Sequence, residues 1–124
     1  MKLTNAEEQL MEIIWQQEKV FLKDILNAYP DPKPAGTTIA TLLKRMQDKG
    51  FVAYDIFGNS RQYYPLVKKS AYFSKEVNGI VKNYFNNSAL QFASFFTKSG
   101  GLSAKELEDL KDIIDDEIKR REKK

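Results

Sequence analysis

The sequence predicts a mainly α protein in which three N-terminal helices are followed by one β-hairpin and then by further helices. Apolar residues recur at intervals of three and four along most of the chain, which is typical of amphipathic helices. Two aromatic, β-rich runs flank a turn-forming triplet at residues 58–60, which indicates the hairpin. A length of 124 residues suits one domain or two very small ones.

The first two helices are predicted over residues 4–18 and 22–29. Thr4 and Glu7 have the spacing of a capping box, which satisfies two backbone N–H groups at the start of a helix. The second helix ends at Tyr29, because the residue before a proline is disfavoured in helical geometry. Three prolines and a glycine in residues 30–36 then predict a stiff loop.

A third helix, predicted over residues 37–49, has an apolar face and a polar face. Its apolar residues between Ile39 and Met46 follow helical spacing, so that face packs against a core. The polar face and its flank carry Thr37, Thr38, Thr41, Lys44 and Arg45. Threonine hydroxyls and a helix N-terminus suit phosphate and base-edge contacts, and Lys or Arg donates to guanine or to phosphate. The alternative is that the threonines only cap the helix and the charges form a solvated face.

The hairpin is predicted from residues 51–57 and 61–66, on either side of the turn at 58–60. Three helices followed by a hairpin is the order of a winged helix-turn-helix, in which the third helix enters a major groove and the hairpin, or wing, flanks it. Arg61 and the polar turn are candidates for contact with the sugar-phosphate backbone. An ordinary surface turn explains the turn residues equally well.

Residues 68–124 are predicted to form a helical dimerisation domain after a winged-helix DNA-binding domain at 1–67. So short a segment, with this much apolar surface, buries too little of it alone to be stable. We therefore expect a homodimer, in which a second copy covers this surface. The candidate dimerisation residues are Tyr84, Phe92, Phe95, Leu107, Leu110 and Ile114. A two-fold dimer would place two third helices in successive turns of a palindromic site.

The composition argues against most enzyme chemistry. The chain has no Cys and no His, which removes the usual zinc ligands, the Cys nucleophile and the common neutral-pH base. Because it also has no carboxylate metal loop and no glycine-rich phosphate loop, we expect no catalytic residue, no metal site and no cofactor. No apolar run approaches the roughly 18 to 20 residues of a membrane span, so a cytoplasmic location without membrane insertion is predicted. The net charge of +3 permits a nucleic-acid partner without demanding one.

Several segments carry a family resemblance: Leu3–Glu7 with Met11–Trp15, Thr37–Met46, Lys49–Phe51 and Tyr64–Leu66. Together they resemble the penicillinase-repressor (BlaI/MecI-type) family of bacterial transcriptional repressors, closely over residues 3–66 and by helix order and length beyond. The resemblance implies a homodimer that represses operons by occupying TACA/TGTA-type dyads on double-stranded DNA. It also implies that Thr37, Thr38, Thr41, Lys44 and Arg45 face the major groove and that Arg61 lies on the wing.

The resemblance also implies a way of relieving repression. In the best-known branch of the family, a membrane-embedded metalloprotease receptor senses β-lactam, and the repressor is cut between Asn and Phe in its dimerisation region. The comparable stretch here has no Asn-Phe bond, and the candidate bonds are Gln91–Phe92 and Ser94–Phe95 within residues 88–98. A second branch responds to copper through C-terminal cysteines, which this chain lacks.

The sequence therefore predicts a dimeric repressor that controls β-lactam resistance or a related stress operon and is relieved by proteolysis. Two other functions stay open. One is a ligand-sensing winged-helix regulator, whose aromatic 72–96 region encloses a small molecule. The other is a winged-helix protein-interaction module that does not bind DNA. An enzyme has the least support, because no catalytic constellation is present in the sequence.

Overall fold

The computed structural model describes residues 2–123, and the chain divides into two compact units, one ending at Glu76 and the other beginning at Val77. Within residues 2–123, six helices and three strands occur in the order α1 (Asn5–Gln17), β1 (Val20–Phe21), α2 (Leu22–Ala28), α3 (Gly36–Asp48), β2 (Val52–Phe57), β3 (Ser60–Pro65), α4 (Lys69–Tyr84), α5 (Ala89–Ser99) and α6 (Ala104–Glu122). The predicted mainly α class, with a hairpin after three helices, is confirmed.

Local caps define where the first two helices begin. The Thr4 hydroxyl accepts the N–H of Glu7 at 3.2 Å, and the N–H of Thr4 donates to Glu7 Oε1 at 2.8 Å, so the predicted capping box is confirmed. The N–H of Phe21 donates to Asp24 Oδ2 at 2.9 Å at the start of α2. This helix ends just before Tyr29, as the following proline predicts.

Strand β1 was not predicted from the sequence. Val20 and Phe21 pair antiparallel with Tyr63 and Gln62 of β3, which gives the sheet the order β1-β3-β2. Two residues are too few to show the alternation by which a strand is recognised. In sequence they therefore merge with the apolar residues of the helix that follows.

Strands β2 and β3 form the predicted hairpin, or wing. They pair along their whole length, and Val52 and Tyr63 are buried on the face that packs against the helices. Gly58 and Asn59 connect the strands, and Gly58 has a φ of 61°, which glycine adopts without a Cβ clash. Ser60, predicted to lie in the turn, belongs to β3 instead.

The core of the first unit lies between α1, α2, α3 and the sheet. Its fully buried side chains include Leu10, Met11, Ile14, Val20, Ile25, Ile39, Leu43, Met46 and Val52. The Tyr72 ring of α4 is buried against Phe51 at a centroid distance of 5.9 Å, and its hydroxyl accepts the N–H of Leu3 at 3.0 Å. Trp15 packs against the core, and its indole N–H donates to the Val67 carbonyl at 2.8 Å. The first turns of α4 thus pack with the first unit.

The second unit consists of the rest of α4 together with α5 and α6. The Ser88 hydroxyl caps α5 by accepting the N–H of Gln91 at 3.1 Å. Ser103 and Glu106 form a capping box at the start of α6. Caps and helix propensity therefore account for the two C-terminal helices locally.

The apolar side chains of the second unit are mostly left at the surface. Within residues 77–123, no residue is buried in a single chain. The Phe85 ring contacts Phe92 and Phe95 at centroid distances of 5.5 and 5.3 Å. The large exposed apolar residues are Val77, Ile80, Tyr84, Leu90, Phe95, Phe96, Leu107, Ile113, Ile114 and Ile118.

Candidate nucleic-acid interface

Helix α3 presents a polar face to solvent because its opposite face is committed to the core. Ile39, Leu42, Leu43 and Met46 are buried. Thr37, Thr38, Thr41, Lys44 and Arg45 are all exposed. The Thr41 hydroxyl donates to the Thr37 carbonyl at 3.0 Å, so towards solvent it offers its methyl group and an acceptor oxygen. Thymine methyl groups and base-edge donors are the partners that suit such a side chain.

The N-cap of α3 is not one of the threonines that the sequence offered as capping residues. Ala35 is the N-cap residue, and an alanine has no side chain with which to accept a backbone N–H. Thr37 and Thr38 lie inside the helix, so the interpretation that they cap it is wrong. The N–H groups of a first turn and the helix dipole together favour an anion such as a backbone phosphate.

Lys44 is available for a new partner. Its ammonium lies 2.9 Å from the Asp48 carboxylate one turn later, and the two side chains are 69% and 60% exposed. Exposed pairs of this kind contribute only about 0–1 kcal/mol, because water and salt screen them. Asp48 therefore restrains Lys44 only weakly.

Arg45 has a different environment from Lys44. One of its terminal nitrogens lies 3.7 Å from Oε2 of Glu7, a residue with no exposed surface, and its side chain is 49% exposed. Lys49 donates to both oxygens of the same carboxylate at 2.9 Å. Burial by itself raises the pKa of Glu7, but the Thr4 N–H and the Lys49 ammonium outweigh it and hold that pKa below its usual value. Glu7 is thus an anion tied to the end of α3.

Arg61 lies on the wing, where an aromatic ring supports it. Its guanidinium carbon is 4.4 Å from the centroid of the Tyr54 ring, a cation–π geometry. The neighbouring Tyr63 and Tyr54 side chains raise the pKa of Arg61 above its usual value. The contact with the Tyr54 ring restricts the Arg61 side chain, which lowers the entropy that the side chain would lose on binding another partner.

A groove of about 320 Å³ runs between the wing and the helices. It is lined by Phe21, Leu22, Lys23, Ala40, Leu43, Asn59, Ser60, Arg61 and Tyr63. Lys23 is a second cation that lines this groove together with Arg61, and it was not among the residues predicted from the sequence. The signal that could have found Lys23 is its place in the first turn of the second helix, next to the predicted recognition helix.

The predicted dimerisation residues lie on the surface of the second unit to different extents. Tyr84 is 78% exposed, and Phe95, Leu107 and Ile114 are also exposed. Phe92 and Leu110 are half-buried. A shallow apolar trough on α6 is formed by Ile113, Ile114, Ile118 and the side chains of Glu117 and Arg121.

The predicted cleavage residues all belong to α5. Gln91, Ser94 and Phe95 are exposed, and Phe92 is half-buried against Phe85 and Phe96. Both candidate peptide bonds therefore lie inside a helix.

Residues 2–123 contain no group of three or more side chains arranged to hold a metal ion. None of the helices within that same range is long and apolar enough to cross a membrane.

The family model described as penicillinase repressor matches residues 3–116. The chain belongs to the penicillinase repressor family. Methicillin resistance regulatory protein MecI of Staphylococcus aureus (strain N315) is 30% identical to it over 118 residues, which cover 91% of this chain and 93% of MecI. The penicillinase repressor of Bacillus licheniformis is 21% identical over 121 residues, covering 97% of this chain and 94% of the relative.

A solved structure shows the same fold in the N-terminal region. The solution structure of the DNA-binding domain of the repressor BlaI superposes with a TM-score of 0.51 at 24% identity, covering 57% of this chain and 88% of that domain. The predicted family and the winged-helix fold are both confirmed. Members of this family are transcriptional repressors, so the chain is a DNA-binding repressor and not an enzyme.

Proposed function

We propose that this repressor binds a palindromic TACA/TGTA-type operator as a homodimer, with α3 of each copy in the major groove. The exposed polar face of α3 carries the proposal. The chain belongs to a family of repressors, and this face lies beside a wing that holds Arg61. Thr37, Thr38 and Thr41 would meet base edges and phosphates, and Lys44 and Arg61 would meet phosphates. Arg45 would share its charge between Glu7 and the duplex.

The proposal of a homodimer rests on the exposed apolar surface of the second unit. Its apolar side chains stay exposed in a single chain, and burying apolar surface stabilises by roughly 25 cal/mol per Å². A second copy would cover them by pairing the same surfaces about a two-fold axis. We assign DNA binding to residues 1–67 and dimerisation to residues 68–124, with the first turns of α4 also serving to support the winged helix.

The regulated genes are proposed from the relatives. MecI is named as a methicillin resistance regulator, and the Bacillus licheniformis relative as a penicillinase repressor. By analogy this repressor would act in the cytoplasm, where the bacterial chromosome lies, on a β-lactam resistance operon or a related stress operon.

Relief of repression is proposed to follow cleavage of α5 by a membrane-bound sensor metalloprotease. A protease binds its substrate as an extended strand, whereas both candidate bonds lie within the helix Ala89–Ser99. Local unwinding of α5 must therefore precede the cut. Cutting there would separate α6 from α4, so the dimer would weaken and the operator would be released.

The first experiment is fluorescence anisotropy of a labelled TACA/TGTA dyad duplex and a scrambled duplex of the same length, at several salt concentrations. We expect dyad binding on the order of 10³-fold tighter than binding to the scramble. Equal, salt-sensitive binding to both would mean a different operator. No binding to either duplex at low salt would contradict the proposal and would favour a protein-interaction module.

A further inference from the structure

Glu7 is the buried charged residue to which the C-terminal end of α3 is tied. It has no exposed surface and lies at the edge of the core cluster of the first unit. Its Oε1 accepts the Thr4 N–H at 2.8 Å, which completes the cap of α1. Both of its oxygens accept from Lys49 at 2.9 Å, and Arg45 approaches Oε2 to 3.7 Å. The Glu7 carboxylate thus links α1 to two cations, Arg45 in α3 and Lys49 at the C-cap of that helix.

The two ion pairs of α3 respond differently to an approaching phosphate. Asp48 and Lys44 are solvated, so their pair breaks at little cost. Glu7 is out of water, where charges are screened much less, and its attraction for Arg45 persists at salt concentrations that weaken a surface pair. Arg45 is nevertheless 49% exposed, whereas the Lys49 side chain is only 25% exposed. Arg45 is therefore the cation that Glu7 and DNA would share.

We propose that Glu7 is a positioning residue that withholds Arg45 from the DNA backbone and so lowers sequence-independent affinity. The inference rests on the proposed function, because it requires α3 to face a duplex. Phosphate contacts supply most of non-specific binding, and each one steepens its salt dependence. Because Glu7 holds part of the charge of Arg45, the discrimination between the operator and other DNA sequences depends more on the threonines of α3.

The test is the salt dependence of binding to the scrambled duplex for the full-length wild type and Glu7→Gln. Glutamine keeps an oxygen for the Thr4 N–H but removes the negative charge that holds Arg45. We expect tighter binding to the scramble and a slope of log K against log salt that is steeper by up to about 0.9, the value of one full phosphate contact, because Arg45 makes part of that contact already in the wild type. Glu108→Gln, at an exposed carboxylate of α6, makes the same change of net charge and should leave the slope unchanged.

Arg45→Gln shows whether the gain passes through Arg45. In the Glu7→Gln background it should remove the gain and give the same slope as Arg45→Gln alone. In the wild-type background it should reduce the slope by clearly less than Lys44→Gln, which removes a cation whose partner is in water. A purely structural role for Glu7 would lower stability and affinity together and would not add a phosphate contact.

The possible failures are distinguishable. A folded Glu7→Gln protein with an unchanged slope, while the wild type binds DNA, would overturn this inference alone. If circular dichroism shows that Glu7→Gln does not fold, the comparison of Arg45→Gln with Lys44→Gln decides, because equal reductions in slope would mean that Glu7 holds nothing back. A wild type that binds no duplex would overturn the proposed function and this inference with it.

Discussion

At the scale of single residues, Lys44 is the side chain whose role is simplest to test. Lys44→Ala should weaken binding to the dyad and to the scramble by a similar factor, and it should reduce the salt slope by about 0.9, because a phosphate contact carries no sequence information. The measurement is anisotropy at four or more salt concentrations.

A matched control for Lys44 exists on α6. Lys105 is also exposed and also pairs with an aspartate one turn later, Asp109, at 2.9 Å. Lys105→Ala removes the same charge and the same kind of ion pair. If both variants lost the same affinity and the same slope, α3 would have no special role in DNA binding.

Glu7 also gives the stability of the protein a defined pH dependence. Its pKa is lowered in the folded state, so its interactions stabilise the fold above the usual glutamate pKa of about 4.3 and are lost as the pH falls through the lowered value. We expect the wild type to lose more free energy of unfolding than Glu7→Gln between about pH 5 and pH 3. Urea unfolding at several pH values measures this difference. Parallel curves for the two proteins would show that the Glu7 charge does not contribute.

At the scale of elements, α6 is expected to form part of the contact between copies. Ile114 is 52% exposed in a single chain, so its burial in a dimer stabilises by about 1 kcal/mol per copy. Ile114→Asn should therefore weaken the dimer about 30-fold or more. Sedimentation equilibrium gives the dissociation constant. Asp115→Asn, at the neighbouring exposed position, should leave it unchanged, and equal constants for Ile114→Asn and the wild type would exclude this face from the contact.

Helix α5 is expected to be the element that the sensor protease cuts. Mass spectrometry of the repressor recovered from β-lactam-treated cells should show N-terminal fragments ending at Gln91 or Ser94. Replacing Phe92 and Phe95 by Ala in one variant should abolish both fragments, since each candidate bond would lose the aromatic residue on its C-terminal side. A fragment ending outside residues 88–98 would contradict the assignment of this segment.

At the scale of the whole molecule, the sequence predicts best what depends on neighbours along the chain. The capping box of Thr4 and Glu7 and the stripe from Ile39 to Met46 are local patterns, and both are present in the structure. The pairing of Glu7 with Arg45 joins two helices far apart in sequence, and no periodicity encodes it. Strand β1 was missed for the same reason, because it is defined by its partner in the wing and not by its own two residues.

The candidate DNA-binding residues also divide into those that local sequence patterns predict and those that only the folded chain brings together. The polar face of α3 was predictable because the apolar residues on the opposite face of that helix pack against the core. The local signal for Lys23 is only its place at the start of the second helix, and the folded wing is what brings it into one groove with Arg61. Lys44 has a solvated partner and Arg45 has a buried one, and this difference depends on the burial of Glu7, which the sequence alone does not show.

The second unit buries no residue of its own over 77–123, and this bears on gene dosage. In a repressor whose C-terminal helices pack against a second copy, the dimer is the form that binds the operator. The concentration of the dimer rises with the square of the chain concentration when chains are scarce. Halving synthesis would then cut operator occupancy about fourfold at low concentration, since mass action applies to both copies. Such a promoter would respond steeply to modest changes in the production of its own repressor.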